Sequence, residues 1–184
     1  MSEEKPALDR NWHLGRSGNE LAVAEFEYAL MRSIESFNAW QQECLEAVSG
    51  HKTSATENVV LHIVRMNDRP KSISELSSLM NRADLPNLKY SVRKLVAAGL
   101  LEKVSEGSKR KGTRYRATAD GIAITEAYAK LRREELMPSL EDISGIADKL
   151  ARVTQTLNLV SGIYDQSAHV VAFHREPIEG ETDK

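Results

Sequence analysis

Positively charged side chains are concentrated in one stretch of the chain, residues 81–118. The stretch carries ten basic and three acidic residues, a net charge of +7, whereas the whole chain carries −2, so the remaining residues sum to −9. A mildly acidic protein with so basic a segment offers a polyanion one preferred surface. The alternative is an ordinary solvated surface. The ten bases are Arg82, Lys89, Arg93, Lys94, Lys103, Lys109, Arg110, Lys111, Arg114 and Arg116.

The residue pattern predicts a helix followed by a hairpin beneath these charges. Asp84 is a suitable helix cap, Pro86 is tolerated in a first turn, and Gly99 is a left-handed stop. Apolar spacing between them directs Leu88, Val92, Leu95 and Val96 inward and leaves outside Asn87, Lys89, Tyr90, Ser91, Arg93 and Lys94. Two short strands, 100–104 and 113–118, flank a polar tip and predict a hairpin. A basic helix followed by a basic hairpin is typical of a DNA-reading winged helix.

The rest of the chain is predicted to be helical. A long apolar stripe runs over residues 20–48, and two capping boxes, Ser54–Glu57 and Ser72–Glu75, each begin a shorter helix. The second box, with Leu76, Leu79 and Met80 inside, completes a helix-turn-helix with the basic helix. After the hairpin, a helix from Asp120 is interrupted at Pro138, and a second run extends over 140–164.

These patterns predict a mainly α protein with a small β-hairpin wing. We expect a flexible arm over residues 1–19, a helical dimerisation region over 20–50 and 120–175, a winged helix-turn-helix over 51–119 and a disordered tail over 176–184. The long apolar stripes predict a homodimer, because one small winged domain cannot cover them.

The composition and motifs argue against a membrane protein, a metal or cofactor site and an enzyme. A single cysteine fits a reducing compartment, and neither a signal peptide nor an apolar run of membrane length is present, so we predict a cytoplasmic protein without a membrane partner. The five histidines form no helical ligand pair, and no phosphate-binding glycine loop or nucleophile elbow occurs. We therefore expect no metal, no cofactor and no enzymatic activity.

Three short motifs resemble those of the multiple-antibiotic-resistance-regulator (MarR) family of winged-helix transcription factors. Residues 95–103, Leu-Val-Ala-Ala-Gly-Leu-Leu-Glu-Lys, resemble the family's join between recognition helix and wing. Residues 72–76 are similar to the start of its supporting helix, and Thr118–Gly121 to the threonine-x-x-glycine that follows the wing. The resemblance covers residues 20–165. It implies a homodimer, commonly a repressor, on a pseudo-palindromic double-stranded DNA operator, released when a small molecule binds.

The wing departs from the family pattern. Its tip lacks the acid that holds an arginine toward the minor groove in the family, since residues 108–114 read Ser-Lys-Arg-Lys-Gly-Thr-Arg. Two alternatives follow: Arg110 or Arg114 enters the minor groove, or the wing contacts mainly phosphates.

Candidate DNA contacts divide by position. Asn87, Lys89, Tyr90 and Ser91 lie near the leading turns of the recognition helix and would meet base edges. Arg93 and Lys94 lie further along and would hold phosphates. The remaining predicted DNA-binding residues are Ser72, Lys109, Arg110, Lys111 and Arg114.

Two further hypotheses remain at this stage. The resemblance places a small-molecule effector between the dimerisation region and the DNA-binding region, where Trp40, Cys44 and His62 would line the space. The alternative for each of these residues is plain packing. A further alternative for Cys44 is a redox role. The same fold also serves as a protein-interaction scaffold without specific DNA binding, and the basic face would then be incidental.

Overall fold

The computed structural model describes residues 13–16, 18–104 and 112–173, which divide into two compact units, 1–132 and 133–184. The predicted tail, most of the predicted arm and the wing-tip residues Lys109, Arg110 and Lys111 lie outside the described residues. Among the described helices, none is long and apolar enough to cross a membrane.

The first two helices confirm the predicted pattern. Helix α1 spans Asn19–Ser49 and ends at Gly50, which adopts the left-handed conformation with φ 68°. Helix α2 spans Ala55–Arg65, and the Oγ of Ser54 caps it by accepting a hydrogen bond from the backbone N–H of Glu57 at 3.2 Å. A short 3₁₀ turn, Met66–Asp68, follows.

Helices α3 (Ile73–Leu79) and α4 (Leu85–Ala97) form the predicted helix-turn-helix. Ser72 and Glu75 make the reciprocal capping box, and the carboxylate of Asp84 caps α4 by accepting from the N–H of Asn87 at 3.1 Å. The prediction that Leu79 lies inside is wrong, because Leu79 is 48% exposed. Leu76 is buried, and Met80, one helical turn later, takes the partly buried position beside the core.

A three-stranded antiparallel sheet of order β1-β3-β2 contains the wing. Its strands are β1 (Lys71–Ser72), β2 (Leu101–Val104) and β3 (Arg114–Ala117). Strands β2 and β3 confirm the predicted hairpin, with Lys103 opposite Tyr115. Strand β1 was not predicted, because it has only two residues and the second of them, Ser72, also begins the capping box of α3.

The threonine-x-x-glycine motif closes the wing onto the next helix. Thr118 Oγ1 donates to the carbonyl of Gly99 at 2.6 Å and accepts from the N–H of Gly121 at 3.1 Å. A Cβ added at Gly121 would lie 2.1 Å from the carbonyl oxygen of Leu100. Only glycine permits this close approach of two backbones, which gives the motif a physical reason.

The core of the first unit is apolar and is formed by α1, α2, α3, α4 and β2. The predicted inward orientation of Leu88, Val92 and Leu95 is confirmed, since all three are fully buried in this core. Their companions in the core are Leu45, Val60, Leu61, Val64, Leu76, Leu100 and Leu101.

The last three helices are α5 (Ala119–Glu135), α6 (Met137–Glu141) and α7 (Ile146–Phe173). The predicted run over 140–164 is interrupted, because the chain leaves the helix after Glu141 and Gly145 takes a positive φ of 67° before α7 begins. No residue of α7 is buried. Its apolar residues alternate four- and three-residue steps from Ile146 to Tyr164, as a helix–helix seam requires.

Candidate nucleic-acid interface

One face of α4 consists of exposed polar and basic side chains. Asn87, Lys89, Tyr90 and Arg93 are exposed, while the apolar residues between them enter the core. The prediction that Ser91 faces outward is wrong, because Ser91 is only 2% exposed. Ser91 follows Leu88 by three residues and precedes Leu95 by four, so it lies on the same buried side of the helix.

A groove of about 610 Å³ lies between α4 and the wing. Lys89 and Arg93 from α4 and Lys103 from β2 line it, with Ile73, Val96, Ala97 and Tyr115 as apolar neighbours. Within the part of the chain that the structure describes, these three cations make no ion pair. Three cations along one groove suit a chain of phosphates. These three residues belong to the predicted basic face, whose other described members include Lys94 and Arg114.

Three other basic residues of segment 81–118, Lys94, Arg114 and Arg116, are paired with acidic side chains. Lys94 Nζ lies 2.7 Å from Glu57 Oε1, and Arg116 Nε lies 2.5 Å from Glu102 Oε1. The Glu57 side chain is only 5% exposed, and a buried carboxylate requires a partner. Its hydrogen bond raises the pKa of Lys94 above the ordinary lysine value. Lys94 therefore links α4 to α2 from a position where phosphate contact was predicted.

Arg114 is directed into the fold. Its Nη1 donates to Glu75 Oε2 at 2.9 Å and to the carbonyl of Pro70 at 3.0 Å, and its side chain is half-buried. The structure therefore places Arg114 at the base of the wing, against α3, rather than projecting outward toward a minor groove. Ser72 lines the groove, but its hydroxyl accepts the N–H of Glu75 in the capping box.

The three predicted effector-site residues meet around one tyrosine. The ring centroids of His62 and Tyr128 are 4.6 Å apart in an edge-to-face arrangement, and Cys44 is buried nearby. Burial raises the pKa of the Tyr128 phenol. Burial, together with the positive charge of Arg65, lowers the pKa of His62.

Sequence reasoning missed the polar members of this cluster. Asn58 Nδ2 donates to Gln41 Oε1 at 3.1 Å, and both residues are buried. One signal was present, because Gln41 follows Phe37 by four residues and so lies on the apolar stripe of α1. Among the described residues, no group of three or more potential ligands is placed to hold a metal ion.

Comparison with known proteins agrees with this architecture. Residues 54–121 match the family model described as a winged helix DNA-binding domain. No curated protein is similar enough to match the sequence.

Several solved structures share the fold. The MarR family transcription regulator SP03579 is 15% identical, with 80% of this chain and 93% of that chain covered and a TM-score of 0.65. MarR from Staphylococcus aureus in complex with salicylate and kanamycin is 13% identical (80% and 95% covered, TM-score 0.63). A cysteine-to-serine mutant of MarR from E. coli, complexed with operator DNA, is 23% identical (72% and 93% covered, TM-score 0.55). The chain therefore has the winged helix fold of these MarR-family transcription regulators, as the motifs at 72–76, 95–103 and 118–121 predicted.

Proposed function

We propose that this protein is a homodimeric transcription regulator that binds a pseudo-palindromic operator in double-stranded DNA. The observation that carries the proposal is the groove on which Lys89, Arg93 and Lys103 converge without acidic partners among the described residues. It lies within the segment that matches a winged helix DNA-binding domain. The E. coli structure of the same fold is complexed with operator DNA.

In this proposal, α4 enters the major groove with its first two turns leading. Asn87, Lys89 and Tyr90 are exposed there, and an asparagine pairs bidentately with adenine while a lysine reaches guanine acceptors. Arg93 and Lys103 hold the flanking phosphates. The wing-tip bases Lys109, Arg110 and Lys111 add phosphate or minor-groove contacts.

Dimerisation is proposed from the unburied apolar side chains of α7 and α1. Leu150, Val153 and Tyr164 of α7, and Ile34 and Phe37 of α1, are exposed in the single chain. A second copy would cover such stripes and place two recognition helices about 34 Å apart, one turn of the duplex.

Repression and release by a small molecule complete the proposal. A dimer seated on a promoter excludes other proteins from it. Staphylococcus aureus MarR, which has the same fold, is in complex with salicylate and kanamycin. The cluster of Trp40, Cys44, His62 and Tyr128 combines aromatic and polar groups, as ligand sites do.

Selection of bound duplexes from a random-sequence pool, followed by anisotropy titration, tests the proposal. Asn87→Ala should lower discrimination at one base pair by about 1–3 kcal/mol. Alanine at Lys109, Arg110 and Lys111 should weaken binding to all duplexes and flatten the salt dependence by ~0.9 for each phosphate that is no longer bound. Lys149→Ala, which removes one lysine charge outside residues 54–121, is the matched control.

The second candidate function is a protein-interaction scaffold. The pairing of Lys94, Arg114 and Arg116 with acids favours it, because it reduces the cations available to DNA. Failure of the wild-type dimer to retain any duplex at low salt would support the scaffold and contradict regulation.

A further inference from the structure

The carboxylate of Glu75 joins three parts of the winged helix domain. Its Oε2 accepts the backbone N–H of Ser72 at 2.8 Å and Nη1 of Arg114 at 2.9 Å, and its Oε1 accepts Nη1 of Arg69 at 2.6 Å. The same Arg114 nitrogen donates to the carbonyl of Pro70. The supporting helix α3, the segment that leads into β1 and the first residue of β3 therefore meet at one side chain.

These hydrogen bonds are of the strong kind. Each arginine bond joins a cation to a carboxylate, and such charge-assisted bonds are shorter and stronger than neutral ones. The Ser72 N–H, followed by the Arg69 side chain, lowers the pKa of Glu75 to about 2. The carboxylate is therefore ionised throughout the neutral range.

The backbone pairing between β3 of the wing and β1, which leads into the helix-turn-helix, is short. Strands β1 and β3 pair through two residues only, Lys71 with Tyr115 and Ser72 with Arg114, whereas β2 and β3 pair through four. Glu75 and Arg114 lie at the second of these two β1–β3 pairs. The Glu75–Arg114 pair adds a side-chain connection at this short pairing, beside the packing of β2 and β3 on the core.

We infer that the Glu75–Arg114 pair is a clamp that holds the wing at the angle at which its bases and α4 reach the same duplex. Arg114 then serves DNA binding as a positioning residue, from within the protein. The inference rests on the proposed function.

The direction in which one substitution changes DNA affinity separates this inference from simple electrostatics. Glu75→Gln removes a negative charge from a DNA-binding domain, which by charge alone strengthens binding. The clamp requires the opposite, a loss of about tenfold in affinity, and Arg114→Gln should lose a similar amount. The double variant should stay within about threefold of Arg114→Gln alone, since Arg114→Gln already removes the contact with Glu75.

The chain supplies a matched control and a safeguard against misfolding. A glutamine at position 75 retains an oxygen to accept the Ser72 N–H, so the capping box of α3 is preserved, while the bond from Arg114 to that same oxygen loses its charge assistance. Arg69→Gln removes the other arginine partner of Glu75 and leaves the Glu75–Arg114 contact intact, so its affinity should stay within about threefold of wild type.

Two readouts report the wing directly. In Glu75→Gln the salt dependence should flatten by ~0.9 for each phosphate that the wing no longer reaches, and alanine at Lys109, Arg110 and Lys111 should flatten it little further. Amide hydrogen exchange should accelerate in β1 and remain unchanged in β2. Exchange is measured without DNA, so it tests the clamp even if the wild-type protein retains no duplex and the proposed function fails. Unchanged or tighter DNA binding by Glu75→Gln, or unchanged exchange in β1, would overturn the inference.

Discussion

Helices α4 and α7 carry the same kind of sequence pattern and reach opposite outcomes. Both place apolar residues three and four positions apart, but Leu88, Val92 and Leu95 of α4 are fully buried, whereas α7 has no buried residue at all. Elements of the same chain, α2, α3 and β2, cover the α4 stripe. An amphipathic stripe therefore shows that a helix needs a partner. It does not show which molecule supplies that partner.

The largest expected effect is a core truncation in α4. Leu88→Ala should lower the free energy of unfolding by about 2–5 kcal/mol, because Leu88 is fully buried and its removal leaves a cavity. Urea denaturation followed by circular dichroism measures the change. Leu159→Ala in α7, at a residue 67% exposed and off the apolar seam, should stay within about 0.5 kcal/mol. Equal losses at the two sites would break the comparison.

A charge on the α7 seam should disrupt association without unfolding the winged helix. Val153 is 52% exposed in the single chain. In a dimer built on this stripe, Val153→Glu would bury two carboxylates, weakening self-association by about 2–4 kcal/mol. Sedimentation equilibrium measures this, with Leu159→Glu as the off-seam control. A wild-type protein that sediments as a monomer at micromolar concentration would contradict the dimer.

The buried side chain of Lys71 allows the contribution of buried hydrogen bonds to the stability of the first unit to be tested. This lysine is fully buried, and its ammonium donates to the carbonyls of Val64, Met66 and Arg69, while burial lowers its pKa. Lys71→Met retains the length of the side chain but leaves three carbonyls without this donor, which should cost about 1–3 kcal/mol of stability. Thermal unfolding measures the cost, with the exposed Lys149→Met as the control; equal melting temperatures would contradict the structural role.

The smallest expected effect is the pH dependence that Glu75 contributes. Its folded pKa of about 2 lies below its ordinary value of 4.5, so its stabilisation is complete above pH 4.5 and is lost as the pH falls toward 2. With screening of this partly exposed group taken into account, the contribution is about 1 kcal/mol. The stability difference between wild type and Glu75→Gln should therefore shrink between pH 5.5 and pH 2.5. A constant difference would show that the Glu75 charge contributes nothing.

The sequence was most informative where a local interaction decides the structure. Ser54, Ser72 and Asp84 cap helices as their types and spacing predicted, because a cap depends on atoms only two or three residues away. The order of helices and the hairpin followed from periodicity and glycine positions. The two-residue strand β1 did not, because its partner β3 lies more than forty residues away along the chain.

The basic face was predicted in outline and revised in detail. Net charge pointed to residues 81–118, which lie within the segment that matches a winged helix domain, but counting charges treated every lysine and arginine alike. Lys94 and Arg114 are paired with Glu57 and Glu75, which lie far away in sequence, while Lys89, Arg93 and Lys103 meet in one groove. Ser91 is buried because it lies on the inner side of α4 with Leu88 and Leu95, although its polar side chain favoured the opposite prediction.

Charge distribution, helix caps and apolar spacing, which are properties of neighbouring residues, were therefore sufficient to identify a winged helix with long flanking helices. Three-dimensional packing decided which of the described cations line the groove and which pair with acids. It also decided that Gly121 lies against Leu100. The physical reason is one of range. Capping and periodicity act over three or four residues, whereas an ion pair or a close backbone approach forms only after folding brings distant segments within a few ångströms.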